Sequence, residues 1–312
     1  MGRAEALPFI EYLDSKRTVD DRALNHHVIS ALREALHTEQ AKDPLKILEV
    51  GAGIGTMVTR LLDWEVIPSA AYTAVDIDHK LVGEARRRLG RYAIENSLMP
   101  GCGLAREIML RSENADLSVN FITADALEYC RQEDARGAFD LLIAHAFLDL
   151  LDLPTALPTL LAVLKPTGYY YFTLVFDGIT HFEPPIDEEM EARIQSIYHQ
   201  TMDERLIDGA PSGNRYSGRH LLGELLKNDA DILAAGPSDW IVYPIEGSYP
   251  AREASFLQHI LDTIQSALDG RDELEPERFE KWLQNRRLQI EAGELIYLAH
   301  QIDVFGHPGA AS

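Results

Sequence analysis

Lys46-Ile47-Leu48-Glu49-Val50-Gly51-Ala52-Gly53-Ile54-Gly55-Thr56 decides the fold. It is an apolar strand running into a glycine-dense turn, and residues 55–64 behind it have helical spacing. Glycine in such a turn lets the backbone take positive φ and approach a ligand with no Cβ in the way. The spacing is G-x-G-x-G. A dinucleotide fold instead uses G-x-G-x-x-G to lay a pyrophosphate on a helix N-terminus. Glu49, two residues ahead of Gly51, suits a cationic ammonium and fits a pyrophosphate poorly.

Outward from this turn the chain alternates. Short apolar runs at 45–50, 71–76, 118–123, 139–144 and 169–176 are separated by helical stretches at 55–64, 79–95, 125–132 and 153–164. Apolar runs of that length between helices predict a mostly parallel sheet with helices on both faces, a doubly wound α/β core over 45–176. Residues 1–44 form an N-terminal helical arm, because Leu24, Val28, Ala31, Leu32, Ala35 and Leu36 recur at helical spacing between Val19 and Leu36. Beyond Phe176 the rhythm changes. Stretches 177–216 and 249–290 carry helical stripes and are assigned to a helical cap. The 217–248 stretch continues the core with a helix from Ser217 and a strand near 239–243, and 291–312 supplies a final strand (about 295–305) and a tail. That strand is expected to pair antiparallel with 239–243.

Five segments in this order resemble the class I S-adenosylmethionine-dependent methyltransferases. Glu49, Gly51, Gly53 and Gly55 match the family's acid followed by G-x-G-x-G. Asp76, closing Tyr72-Thr73-Ala74-Val75-Asp76, matches the acid that holds the ribose hydroxyls, and Asp125 in Thr123-Ala124-Asp125-Ala126 matches the acid that bonds the adenine amino group. Phe139-Asp140-Leu141-Leu142-Ile143-Ala144-His145 and Leu164-Lys165-Pro166-Thr167-Gly168 look like the fourth strand and the turn into the fifth. The resemblance covers 45–176 well and 217–248 loosely. It implies a seven-stranded Rossmann-like sheet and S-adenosylmethionine as cofactor. The residues implied to bind it are Glu49, Gly51, Ala52, Gly53, Gly55, Asp76, Ile77, Asp125, Ala126 and His145.

Composition narrows the acceptor. The 312 residues hold 29 Lys and Arg against 50 Asp and Glu, a net charge of −21. The excess grows from −7 over 1–150 (17 basic, 24 acidic) to −14 over 151–312 (12 basic, 26 acidic). Such a surface repels phosphate backbones and anionic lipid, which argues against a nucleic-acid or membrane partner. No apolar run approaches the ~20 residues of a membrane span, and the two cysteines suit a reducing, cytoplasmic setting. No His or Cys group has metal-ligand spacing, so no metal is expected.

Methyl transfer from a sulfonium needs alignment, exclusion of water and, for some acceptors, removal of a proton. Acceptor groups belong at the carboxyl ends of the fourth and fifth strands and in the cap. His145, Asp177 and His181 are therefore the catalytic candidates, the histidines as general bases. The leading function is methylation of a small molecule. Alternatives are a protein acceptor, a non-catalytic adenosylmethionine-binding module, or a nicotinamide-dependent oxidoreductase, which the glycine spacing disfavours. A homodimer is the competing use for the 249–290 helices, and a lid carrying Tyr12 or Arg17 the competing use for the arm.

Overall fold

The computed structural model describes residues 3–38, 44–67, 69–102, 107–111, 116–207 and 209–309. In chain order the arm is α1 (Arg3–Ser15), α2 (Arg17–Ala23) and α3 (His26–Thr38). The core follows as β1 (Leu45–Val50), α4 (Thr56–Asp63), β2 (Ser69–Asp76), α5 (His79–Glu95), β3 (Met99–Cys102), β4 (Ile108–Arg111), β5 (Asp116–Thr123), α6 (Ala126–Cys130), β6 (Phe139–His145), a 3₁₀ turn (Leu148–Leu150), α7 (Leu153–Leu161) and β7 (Leu164–Glu183). Next come α8 (Glu188–Asp203), β8 (Leu206–Ile207), β9 (Ala210–Pro211), α9 (Ser217–Lys227), β10 (Asp231–Pro237), β11 (Trp240–Val242), α10 (Glu253–Leu268), α11 (Pro276–Ala292) and β12 (Ile296–His307).

The main sheet runs β10-β12-β7-β6-β1-β2-β5-β4-β3, with β11 also paired to β12. Strands β5, β2, β1, β6 and β7 are parallel, whereas β12, β10, β11, β4 and β3 join antiparallel. The expected mostly parallel α/β sheet is present, but it has ten strands rather than seven. The hairpin β3–β4 adds two at one edge, where Met99-Pro100-Gly101-Cys102 shows no apolar alternation to announce a strand. At the other edge Ser238 and Asp239 interrupt one line of pairing, so β10 and β11 are two strands on the same partner. The expected antiparallel pairing is there, with Trp240 opposite Ala299.

Alternate side chains of the central strands feed two apolar clusters, one per face. Ile47, Tyr72, Leu141, Ile143 and Tyr171 pack with Val28 and Leu32 of α3, Leu61 of α4 and Leu89 of α5. Leu48, Leu142, Ala144, Tyr170 and Phe172 pack with Leu157 of α7 and Leu221 of α9. The helix expected over 19–36 is broken in two. Leu24 leaves helical geometry (φ −53, ψ 128), and the Asn25 Oδ1 accepts the N–H groups of His27 and Val28 at the start of α3. An Asn at this point caps a new helix more readily than it continues an old one.

β7 is the long element. It pairs with β6 as far as Thr173 opposite His145, then runs on against β12 alone to Glu183 opposite Ile296. The stretch after Phe176, expected to open the helical cap, is thus still strand as far as Glu183, with an irregular step where Leu174 takes φ +53. Helices α8, α10 and α11 cover this extension. Phe182 meets Trp282 edge-on at 5.5 Å and Tyr297 at 5.1 Å. Arg286 of α11 is fully buried, donating to Glu191 of α8 at 2.6 Å and to the Pro184 carbonyl at 2.7 Å. The apolar stripes of α10 and α11 are consumed inside the chain.

Candidate functional site

The glycine turn sits at the carboxyl ends of β1 and β2. Gly51, Gly53 and Gly55 have φ of +68, +55 and +75, so a side chain at any of them would be strained. A Cβ at Gly51 would lie 2.4 Å from the Phe147 ring, and one at Gly53 would lie 3.3 Å from Leu13 of α1. Backbone bonds tie the turn down. Ala52 donates to Val75 O and Gly53 N–H donates to Asp76 Oδ2 at 2.8 Å. Asp76 Oδ1 accepts from Asp78 N–H at 2.9 Å. Each Asp76 oxygen thus keeps a lone pair, because an ionised carboxylate offers about four acceptor sites. Burial pushes its carboxyl above the usual range, against the pull of the two N–H bonds.

Next to it Ile77 is 72 % exposed, an aliphatic face beside a carboxylate. Asp125 caps α6 by accepting the Glu128 N–H at 2.8 Å, and Ala126 is buried behind it. An acid for two hydroxyls, an apolar face for a flat ring and a glycine cradle fit an adenosyl group. The residues at Gly51, Ala52, Gly53, Gly55, Asp76, Ile77, Asp125 and Ala126 are brought to one end of the sheet.

Glu49 stands differently from the expectation. It is 2 % exposed, on the face of β1 toward α4, and its Oε2 accepts the Tyr72 hydroxyl at 2.9 Å. Burial raises its carboxyl to about 8, although the Tyr72 bond and the Arg60 charge pull it down. A carboxyl so placed is largely protonated near neutrality, and it braces the turn from beneath.

His145 belongs to a buried polar floor on the same face. Its Nδ1 lies 2.8 Å from Thr173 Oγ1, and its Nε2 lies 3.3 Å from Asp20 Oδ2 and 3.2 Å from Arg60 Nη1. Burial lowers the ring to about 4, outweighing Asp20, with Arg60 and Lys16 adding to the fall. The imidazole is neutral, with both nitrogens engaged. Asp20 joins the floor together: Lys16 Nζ is 3.2 Å away and Trp240 Nε1 donates to it at 2.9 Å. Burial alone would raise Asp20, but Lys16, His145 and Arg60 hold it far below the usual carboxylate range. Arg60 also donates to Asp21 at 2.7 Å. Asp303 of β12 accepts from Asn25 N–H and Leu174 N–H, both at 2.8 Å, and burial raises it to about 6.

Asp177 and His181 are not brought to His145. Val175 belongs to the cluster on the opposite face, and Asp177, two residues on, points the same way toward α9. There Arg219 Nε bonds both of its oxygens, at 2.9 and 3.0 Å. His181 is exposed and pairs with Glu183 at 3.1 Å. The expectation that 177–182 faces an acceptor beside His145 fails because β7 continues as strand, so alternate residues point to opposite faces. Sequence reasoning missed Arg60, Trp240 and Asp303. Asp303 carried a signal, a lone acid between Ile302 and Val304 in an apolar strand. Arg60 carried none, since one arginine on an amphipathic helix looks like surface. Among the described residues no group of three or more His, Cys, Asp or Glu side chains is arranged to hold a metal ion.

Residues 48–172 match the family model described as a methyltransferase domain. A malonyl-[acyl-carrier protein] O-methyltransferase of Geobacter sulfurreducens is 41 % identical over 69 residues, 22 % of this chain and only 25 % of that relative's length. Among solved structures, geranyl diphosphate C-methyltransferase of Streptomyces coelicolor is similar at 12 % identity, with 89 % of this chain and 78 % of that chain covered and a TM-score of 0.42. The [4+2]-cyclase SpnF is similar at 13 % identity, with 91 % and 82 % covered and a TM-score of 0.43. The stretch that matches a methyltransferase domain, residues 48–172, thus contains the acid, the glycine turn, Asp76 and Asp125.

Proposed function

We propose that the whole chain is an S-adenosylmethionine-dependent enzyme that methylates a small-molecule acceptor. The observation that carries this reading is the convergence of a glycine cradle, Asp76 and Ile77 under a roof made by the arm. Leu13 packs on Gly53 and Phe147 on Gly51, so side chains already cover the turn. Enclosure suits a metabolite better than a protein segment, which would need an open groove. When bound, adenosylmethionine supplies an activated methyl on a sulfonium.

The chain's own residues bind, orient and keep water out. Asp76 takes the ribose hydroxyls, Ile77 lies against the base, and Asp125 with the Ala126 backbone addresses its edge. Gly51 and Gly53 admit the backbone to the amino-acid end. His145 is a positioning residue: neutral, and bonded through Asp20 to α2, it fixes the arm over the cradle. Asp177 and His181 are left out of the chemistry, because Arg219 and Glu183 already hold them on the far face. No helix among the described residues is long and apolar enough to cross a membrane. We place the protein in the cytoplasm, which its buried free Cys130 and acidic surface suit.

Calorimetry on the purified chain tests the reading. S-adenosylhomocysteine should bind, and NAD should bind at least about a hundredfold more weakly, a difference of ~2.7 kcal/mol. Equal affinity for the two would refute it.

A further inference from the structure

Asp149 lies four residues beyond His145, in the 3₁₀ turn after β6, and the function proposed above gives it no role. Its Oδ1 is buried and has no hydrogen-bond partner. Lys16 and Arg205 are within electrostatic reach, but Lys16 gives its ion pair to Asp20 at 3.2 Å. Buried polar atoms are nearly always bonded, so an acceptor left without a donor marks where one is missing. The Tyr12 and Tyr198 rings stand within electrostatic reach of this carboxylate.

An aromatic wall adjoins it. Tyr12 stacks on Phe256 at 6.0 Å, and Trp240 meets Phe256 edge-on at 5.2 Å. This wall already holds one ammonium, with Lys16 Nζ 6.0 Å from the Tyr12 centroid and 5.6 Å from that of Trp240. Aromatic faces attract cations electrostatically. The local cations cannot serve an anionic acceptor equally well. Lys16 faces Asp20, and Arg60 faces Asp21 at 2.7 Å, so both are compensated, and Arg205, the remaining cation within reach, gives Asp149 Oδ1 no hydrogen bond. The net charge of −21 also draws cations toward the molecule.

We propose that Asp149, with the Tyr12 and Tyr198 hydroxyls, is the acceptor subsite and that the methyl acceptor is an amine. The amine donates an N–H to Asp149 and lays its body against the half-buried Tyr12 and Tyr198 rings. This rests on the methyltransferase reading. In the step, the neutral nitrogen's lone pair forms the N–CH₃ bond while the S–CH₃ bond breaks and its electron pair passes to sulfur. The nitrogen becomes a substituted ammonium and sheds one proton, which Asp149 accepts and returns to solvent. Amine and sulfonium thus give N-methylamine, thioether and one proton. Burial, which pushes the Asp149 carboxyl upward, suits it to take that proton.

The test uses the full chain saturated with S-adenosylhomocysteine and two probes of equal shape and opposite charge, 2-phenylethylamine and 3-phenylpropionate. Titration calorimetry should show the amine binding at least about tenfold more tightly. Asp149→Asn should cost the amine about tenfold while leaving the homocysteine affinity within about twofold, and Tyr198→Phe should weaken the amine less. Thermal melts with the cofactor product bound show that each variant is folded. Equal or reversed preference between the probes overturns the proposal, as does an amine affinity unmoved by Asp149→Asn. Failure of the wild-type chain to bind S-adenosylhomocysteine overturns the methyltransferase reading itself, before either probe is added.

Discussion

Replacing Glu49 with Gln isolates the proton held beneath the glycine turn. In the fold Glu49 keeps its proton to about pH 8, whereas an unperturbed glutamate releases it near 4.5. Between those values the unfolded chain binds fewer protons than the folded one, so stability falls as pH rises. The slope is at most about 1.4 kcal/mol per pH unit. His145 and His199, lowered to about 4, act with the opposite sign, because their unfolded forms bind the extra proton; they add back about 0.4 kcal/mol each between pH 6.5 and 8, equally in wild type and variant. Asp303, raised to about 6, is nearly spent over that range. From pH 6.5 to 8, therefore, the wild type should lose about 1.6 kcal/mol more than Glu49→Gln, a difference of roughly 3 °C in melting temperature. Gln keeps an oxygen to accept the Tyr72 hydroxyl and does not titrate, so the variant should lack that loss. Urea unfolding of both proteins at the two pH values measures the difference. Parallel loss in wild type and Glu49→Gln would show that Glu49 is ionised in the fold and that the reasoning is wrong.

Gly51→Ala should abolish S-adenosylhomocysteine binding in calorimetry with the fold intact by circular dichroism. Adding Phe147→Ala should recover only part of it, since the clash is relieved and the positive φ is not. Asp76→Ala should weaken S-adenosylhomocysteine by about one to two decades, from the loss of charge-assisted bonds worth ~1.5–3 kcal/mol, and unchanged affinity would remove that residue from the site. Asp20→Ala leaves Lys16, Arg60 and His145 facing one another without their carboxylate. It should cost about 3–5 kcal/mol in denaturant unfolding and alter Trp240 fluorescence, while a loss below about 1 kcal/mol would mean the floor is not structural.

What was legible in the sequence was local. The turn from Glu49 to Gly55, Asp76 and Asp125 are read from neighbours within a few residues, because a strand end, a glycine conformation and a cap are short-range facts. Glu49 shows the limit. Its position was visible, but whether it faces the ligand or the Tyr72 hydroxyl depends on which face of β1 is buried. The polar floor was illegible for the same reason. Arg60 on α4, Asp20 on α2, Trp240 on β11 and His145 on β6 meet only once four elements have assembled. β7 misled in another way. Gly178, Thr180 and His181 dilute the apolar run, yet pairing with β12 holds them as strand, because ladder bonds are indifferent to side-chain polarity.

The floor also sets an order of assembly. Asn25 reaches Asp303 across 278 positions, Trp240 reaches Asp20 across 220, and Thr18 donates to Glu253 across 235. The cradle lies within residues 49–76, and the strand that anchors its roof, β12, leaves the ribosome long after it. A nascent chain can fold β1, β2 and the turn between them early, yet its roof cannot latch until β12 has emerged. Loss of the final strand would therefore be felt first at the opposite end of the polypeptide, as an arm that no longer closes.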